Sequence, residues 1–384
     1  MKRTIKIVCI VLFIFLFPIN CSALDTQNIN ARSAVLIDAE SRRVLWEKSS
    51  DKVLPMASTT KIMTCILALE MGDLSDEVTV SKKAASAPES KMHLSAGEII
   101  KLEDLLYALM LESANDAAVA IAEHISGSTD EFCRLMTKKA RELGAYNTSF
   151  ETPNGLDGEN HYSTAYDMAI ITAYALENGK FREIISTKHI NLPVNGGDYK
   201  SYSITNKNRF LNEFQGAIGV KTGYTGNAGH CFVGAAERDG LTLISVVLAS
   251  GWGNRGKTAK WTDTKAIMDY GFETFKIYEI LDENTPVEDI SVLKSENKTL
   301  KLKYEETLYA VLSDDEADSL LYETILPDYV EAPVEKGWTI GEVRIYTSVG
   351  ELVGNTNIIS DEFAEKSGIK NYFQKIISRW LLMK

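Results

Sequence analysis

Two short apolar runs open the patterned part of the chain. Ser33-Ala34-Val35-Leu36-Ile37-Asp38 and Arg43-Val44-Leu45-Trp46 are separated by Ala39-Glu40-Ser41, the pattern of two strands joined by a tight turn. After Lys61 the chain is apolar at Ile62, Met63, Cys65, Ile66, Leu67 and Leu69, with no Gly or Pro before Gly72. That predicts a buried helix rather than a surface one. Helical periodicity then dominates: the spacing predicts helices over Leu102–Met110, Asp116–Ile125, Asp130–Leu143 and Thr164–Leu176, separated by polar turns with Gly or Pro. Strand character returns at Gly219–Tyr224, His230–Ala236 and Leu241–Leu248, with Arg238-Asp239-Gly240 as a hairpin turn, and a helix is expected over Thr262–Phe275. Two early strands and three late ones flanking a helical middle imply an α+β fold, one mixed antiparallel sheet built from both chain ends and covered by helices.

Beyond about Lys276 the texture changes to short alternating runs such as Leu300, Leu302 and Tyr304, the mark of a small β-rich domain. It carries no cluster of chemically useful residues, which suits a spacer or docking role. The segment Lys366–Lys384 differs again. Ile369, Tyr372, Phe373, Ile376, Ile377 and Trp380 follow a helical period among five positive charges and no acidic residue. A basic amphipathic helix with Trp is expected to lie in a membrane interface. At the other end, Lys2, Arg3 and Lys6 precede 11 apolar residues from Ile7 to Phe17, too few to span a bilayer, and Cys21-Ser22-Ala23 offers a small-residue cleavage site. This predicts a secretory signal peptide. The expected division is thus signal 1–23, catalytic domain 24–276, β-rich domain 277–360 and amphipathic membrane helix 361–384, in a protein exported to the outer face of the cytoplasmic membrane or secreted.

Cutting after Ala23 leaves 361 residues and moves the net charge from −12 to −15, which excludes a general affinity for nucleic acid. Cys65, Cys133 and Cys231 remain, an odd number in apolar settings and without zinc spacing, so they read as core residues. The five histidines likewise lack metal-ligand spacing, and no cofactor is called for.

Three motifs carry the candidate chemistry. Ser58 and Lys61 stand three apart at the start of the buried helix and so share a face. A serine needs a base, and a lysine serves as one when burial or a second cation lowers its pKa. S-x-x-K begins at five serines, but only Ser58 opens a long apolar helix. In Ser113-Ala114-Asn115, a loop between two helices, a hydroxyl and an amide can enter one cleft. Lys221-Thr222-Gly223, the only K-T-G, falls on a predicted strand among Gly216, Gly219, Gly223, Gly226 and Gly229. Glycine within a strand often marks a close backbone approach by a ligand, and Lys221 and Thr222 suit an anionic group. Each motif alone also has an ordinary reading: Ser58 as a helix-start residue, Ser113 or Asn115 as a cap, the glycines as hairpin turns.

Taken together and in this order, S-x-x-K, S-x-N and K-T-G resemble the set found in penicillin-binding proteins and class A β-lactamases. Thr152-Pro153-Asn154-Gly155-Leu156, Ser163-Thr164-Ala165 and the stretch Gly219–Gly229 extend the likeness. The whole chain resembles the low-molecular-mass penicillin-binding proteins, the serine-type D-alanyl-D-alanine carboxypeptidases. The resemblance implies a transpeptidase/β-lactamase-like domain followed by the β-rich domain, and an acyl transfer from cell-wall stem peptides ending in D-Ala-D-Ala. It implies Ser58 as nucleophile, Lys61 as base, and Ser113 as proton carrier to the departing amine. Asn115 would hold the substrate amide. Lys221 and Thr222 would meet the terminal carboxylate with help from Arg255, Lys257 or Lys260, of which Lys260 best fits the spacing. The N–H groups of Ser58 and Tyr224, the latter just after Gly223, would form the oxyanion hole. β-Lactams would acylate Ser58. A class A β-lactamase would add an E-x-x-L-N stretch, whereas Asn208 stands at that glutamate position before Leu211-Asn212. An endopeptidase cutting D-Ala crosslinks would use the same residues.

Overall fold

The structure is a computed structural model that describes residues 24–193, 201–368 and 377. The expected signal peptide lies outside the described residues, as does all of the amphipathic tail beyond 368 save residue 377. Residues 361–368, assigned above to the tail segment, are not helical. They form bends and make bridges back to the β-rich part through Val334↔Ala364 and Ser295↔Lys366.

A five-stranded sheet organises the first part. Its strands are β1 (Ser33–Asp38), β2 (Val44–Lys48), β3 (Ala217–Thr225), β4 (Gly229–Arg238) and β5 (Leu241–Leu248). They run in the order β2-β1-β5-β4-β3, every pair antiparallel. The sheet therefore joins the two early strands to the three late ones through the β1–β5 ladder, with Ala34 opposite Val247. Both of its faces are covered, which is why β1 reads as a continuous apolar run, buried at all six positions. Val35 and Ile37 face a helical layer with Ile62, Met63, Leu105 and Met168. Leu36, Phe232 and Val247 face Trp261, Ile267 and Met268 on the other side.

The helical layer comprises α1 (Lys61–Met71), α2 (Leu102–Tyr107), α3 (Asn115–Ser126), α4 (Thr129–Glu142), α5 (Ala165–Leu176) and α6 (Gly179–Ser186). The long helix α7 (Gly253–Thr274) covers the opposite face, with Phe210 and Phe214, in and just after the short helical turn Phe210–Glu213, packed beside it. It starts nine residues earlier than its apolar period predicts. The added turns contain Gly253 and Gly256, poor helix formers. Gly256 is fixed by packing instead: a Cβ there would lie 2.2 Å from the Gly251 carbonyl. The hairpin pairing His189–Pro193 with Ser201–Thr205 went unpredicted, as did α6.

From Phe275 the chain builds small sheets, among them Phe275–Leu281 with Leu308–Ser313 and a four-stranded sheet ending in Leu352–Ser360. Arg43, just before β2, ties the two parts together. Its guanidinium pairs with Glu316, with Glu351 at 2.8 Å, and donates to the Val311 carbonyl at 2.7 Å. This cluster sits at the Asp38 end of β1, away from the end where β3 and β4 meet.

Candidate active site

The serine of the first motif sits just before its helix rather than inside it. Ala57–Thr60 form a 3₁₀ turn, and α1 begins at Lys61. Ala57 has φ 49°, a costly value for a residue with a side chain, and Ser58 follows it directly. Two glycines allow this turn to be gripped from both sides. At Gly155 (φ +87°) a Cβ would lie 2.1 Å from the Ala57 carbonyl oxygen and 2.9 Å from Ser58 Cα; at Gly223 a Cβ would lie 3.0 Å from Ser58 N. Gly223 is on β3, the edge strand, which pairs among the described residues only with β4. Gly216 and Gly219 (φ +79° and +136°) approach Glu237 and Ile185 carbonyls, Gly229 backs onto Gly251 and Trp252, and Gly226 faces open space.

Lys61 is fully buried, and its Nζ has three neighbours. They are Ser58 Oγ at 2.9 Å, Asn115 Oδ1 at 2.7 Å and the Asn154 carbonyl oxygen. A neutral amine has two N–H donors and one lone pair. With the two donors directed at Asn115 and Asn154, pure acceptors both, the lone pair is left for the Ser58 hydroxyl. The electrostatics favour that neutral form. Burial pushes the Lys61 pKa well below the lysine range and Lys221 pushes it further, against Glu89 and Asp116.

The second motif enters on a distorted helix end. Beyond α2, residues Ala108–Glu112 wind as a π-turn, a form often found at functional sites, which stops at Ser113 in the left-handed region (φ 65°). Ser113 is nearly buried. Asn115 begins α3, and while its Oδ1 accepts from Lys61 its Nδ2 donates to the Pro88 carbonyl at 2.8 Å. The segment around Pro88 is anchored by Asp116, fully buried, whose carboxylate accepts from the N–H groups of Met92 and Leu94.

Lys221 on β3 is also buried, and its Nζ donates to the Thr222 carbonyl at 3.1 Å. Burial, then Lys260 and Lys207, bring its pKa down to about 7 against the pull of Glu112. Lys260 lies on α7 with its ammonium 4.8 Å over the Trp261 ring, and burial and Lys257 bring it to about 8 against Cys231. Arg255 and Lys257, the other two cations considered for the carboxylate, are exposed near the start of α7. Thr222 is half-buried, and Tyr224 is exposed with its ring 4.3 Å from that of His230.

Lys61 thus contacts both Ser58 and Asn115, Gly223 abuts the Ser58 turn, and Lys221 acts on Lys61 through its charge. Four contributors had no assigned role in the sequence: Asn154, Gly155, Asp116 and His161. The first two belong to the Thr-Pro-Asn-Gly stretch quoted above, which was a signal without a geometry. His161 Nδ1 accepts from Glu151 N–H, so its Nε2 carries the proton and donates to Thr60 Oγ1 at 2.8 Å. Burial drops its pKa to about 4, so it supports the Ser58 turn as a neutral ring. The three cysteines are buried and unpaired, as expected of core residues.

A family model for D-alanyl-D-alanine carboxypeptidase matches residues 20–251, and a second, for the C-terminal domain of penicillin-binding protein 5, matches residues 272–366. The chain belongs to the D-alanyl-D-alanine carboxypeptidase family. It is 34% identical over 360 residues to the D-alanyl-D-alanine carboxypeptidase DacF of Bacillus subtilis, covering 92% of this chain and 91% of that one. With DacA of Haemophilus influenzae it shares 30% over 376 residues, covering 93% of each. Among solved structures, penicillin-binding protein 5 of H. influenzae superposes with TM-score 0.72 at 28% identity, over 88% of this chain and 98% of the other. A peptidoglycan synthesis regulatory factor of Streptococcus pneumoniae gives 0.71 at 26%, over 88% and 100%. The expected fold class and serine-peptidase class therefore hold for this D-alanyl-D-alanine carboxypeptidase. Among the described residues no helix is long and apolar enough to cross a membrane.

Proposed function

We propose that this carboxypeptidase removes the terminal D-alanine from peptidoglycan stem peptides through an acyl-enzyme on Ser58. The observation that carries the reading is the buried Lys61 amine, held by Asn115 Oδ1 and the Asn154 carbonyl with Ser58 Oγ as its third neighbour. Neutral Lys61 takes the Ser58 proton as Oγ attacks the carbonyl carbon between the two alanines. The N–H groups of Ser58 and Tyr224 stabilise the oxyanion, and each such donor is worth roughly 10²–10³ in rate. The proton then passes by way of Ser113 to the departing D-Ala amine, and water hydrolyses the ester.

The open edge of β3 supports a substrate lying alongside it as an added strand. The terminal carboxylate would lie at Lys221 and Thr222 and the amide at Asn115, while Gly223 lets the Ser58 turn sit close against β3. Lys260, with its ammonium over the Trp261 ring, would assist by adding positive charge near that carboxylate. β-Lactams, as mimics of the dipeptide, acylate the same serine. The test is D-alanine release from a peptide ending in Lys-D-Ala-D-Ala: the mature protein releases it and Ser58→Ala does not. Release by the variant, or no release with no labelling of Ser58 by a fluorescent penicillin, would overturn the reading. Release confined to crosslinked substrates would favour the endopeptidase.

The division into a catalytic domain over 24–276 and a β-rich domain over 277–360 belongs to the same proposal. So does export, with peripheral attachment to the outer membrane face through the basic segment after Lys366. A chain ending at Lys366 is expected to remain soluble when the full chain sediments with membranes. Equal sedimentation of both would sink the attachment.

A further inference from the structure

Arg32, Arg255 and Lys257 are exposed and have no carboxylate partner among the described residues, in a chain whose net charge is −12. Arg32 is the most firmly placed of the three. Its guanidinium lies 4.7 Å over the Trp252 ring, and its backbone N–H donates to the Leu248 carbonyl at 3.1 Å. The indole is itself fixed. Nε1 donates to the Gly226 carbonyl at 2.8 Å, and the bare Cα of Gly229 makes its seat, since a Cβ there would lie 3.0 Å from Trp252 Cε2. Even so, Trp252 is 39% exposed. An arginine resting on an aromatic face keeps its N–H edge free for a carboxylate, and the stacking holds it ready.

The position matters as much as the chemistry. Gly226 is three residues beyond Gly223 and opens the turn between β3 and β4, so it lies at most about 10 Å along the strand from the point that abuts Ser58. On the acyl-transfer reading above, on which this inference rests, the terminal carboxylate meets Lys221 and Thr222. The substrate then runs antiparallel to β3. Its residues upstream of the scissile bond pass Thr225 and reach Gly226 within about three positions.

We infer that Arg32, seated on Trp252, forms a subsite for an acidic group two or so residues upstream of D-Ala-D-Ala in the stem peptide. The ligand is a carboxylate on an extended peptide, such as the free α-carboxylate of a γ-linked glutamate. Arg32 touches no reacting atom, so its loss alters selectivity and leaves the acyl-transfer machinery intact.

The test compares kcat/KM for the mature chain and Arg32→Gln on three peptides: L-Ala-γ-D-Glu-L-Lys-D-Ala-D-Ala, the same peptide with its glutamate α-carboxylate amidated, and diacetyl-L-Lys-D-Ala-D-Ala. The wild type is expected to prefer the acid to the amide by about three- to fivefold, the size of a half-exposed ion pair, with the preference shrinking in high salt. In Arg32→Gln the ratio falls to about one while the diacetyl tripeptide is turned over within about twofold of wild type. A wild-type ratio of one, or a variant slowed equally on all three peptides, overturns the subsite. If the wild type turns over none of the three and Ser58 takes no penicillin label, the acyl-transfer reading has failed and the subsite falls with it.

Discussion

Gly155 offers the sharpest test of how the nucleophile is held. It contributes no side chain to the chemistry, yet its Cα is pressed against the turn that carries Ser58. In Gly155→Ala the new methyl would begin 2.1 Å from the Ala57 carbonyl oxygen and 2.9 Å from Ser58 Cα, at φ +87°. The left-handed backbone alone costs about 1–2 kcal/mol for a residue with a Cβ. Relief of the clash needs the oxygen to retreat by about 1 Å to reach van der Waals contact, and the atoms in the way are backbone, which cannot rotate aside. Together these put the loss of stability at about 2–4 kcal/mol. The same displacement moves Ser58 relative to Lys61 and Gly223, and an error of about 1 Å in a reacting group costs on the order of 10²-fold in rate. The assay is the second-order rate of Ser58 acylation by a fluorescent penicillin, run beside D-alanine release and thermal melting. Gly179→Ala is the control, because nothing lies within 4 Å of its Cβ position and its φ is ordinary. If Gly155→Ala melts with the wild type and acylates at the wild-type rate, the grip on the turn is not what places the nucleophile.

Two further predictions concern charge. Activity on a small peptide should follow a bell in pH: it falls on the acid side as Lys61 takes a proton at its depressed pKa, and on the alkaline side as Lys221, at about 7 in the free enzyme, loses the cation that meets the substrate carboxylate. Lys221→Arg keeps the cation at all working pH, so the alkaline limb of kcat/KM should move upward; a limb that coincides with wild type would assign it to another group. Arg43→Ala removes the shared cation of Glu316 and Glu351 at the junction of the two parts, where the guanidinium side chain is only 10% exposed. It should destabilise by about 1–3 kcal/mol in a melt while D-alanine release from a small peptide stays within about twofold; a large loss of activity with an unchanged melt would contradict this.

Much of this arrangement was legible in the residues because the signals were local and strong. Apolar runs at Ser33–Asp38 and Leu241–Leu248 read as strands, and their separation in sequence made one sheet built from both chain ends the economical arrangement. Ser58 was singled out because a long apolar helix follows it. What stayed hidden depended on contacts between distant segments. The first turns of α7 are polar and glycine-rich, and only the fit of Gly256 against Gly251 makes them helical. The π-turn before Ser113 looks from its apolar spacing like an ordinary helix continuing to Met110. Asn154 acts through its main-chain carbonyl, which carries no residue-specific signature, so a stretch that was noticed had no derivable role. The glycines around the K-T-G strand divide between roles that their number alone does not separate. Their number allowed either ligand approach or hairpin turns; Gly216, Gly219 and Gly229 pack against backbone or an indole, and of the five Gly223 faces the nucleophile's turn.

The three buried lysines explain how an acyl-transfer site with a lysine base can be kept in working order. Lys61 lies within the field of Lys221, and Lys221 within that of Lys260, in a region where burial already disfavours every ammonium. Such groups titrate together, and the proton that binds most readily goes to the site with the better partner. In the free enzyme Lys221 donates, among the described residues, to the Thr222 carbonyl alone, and its pKa falls to about 7. On the proposed mechanism a substrate carboxylate supplies the missing counter-charge and raises the Lys221 pKa. The ammonium then stays on Lys221 and holds Lys61 neutral at the moment its lone pair is needed by Ser58. The recognition of the peptide's terminus and the readiness of the base are then one electrostatic event. An amidated or esterified terminus should therefore lose more in acylation rate than in binding, which a split of KM from kcat across a carboxylate and carboxamide pair would measure.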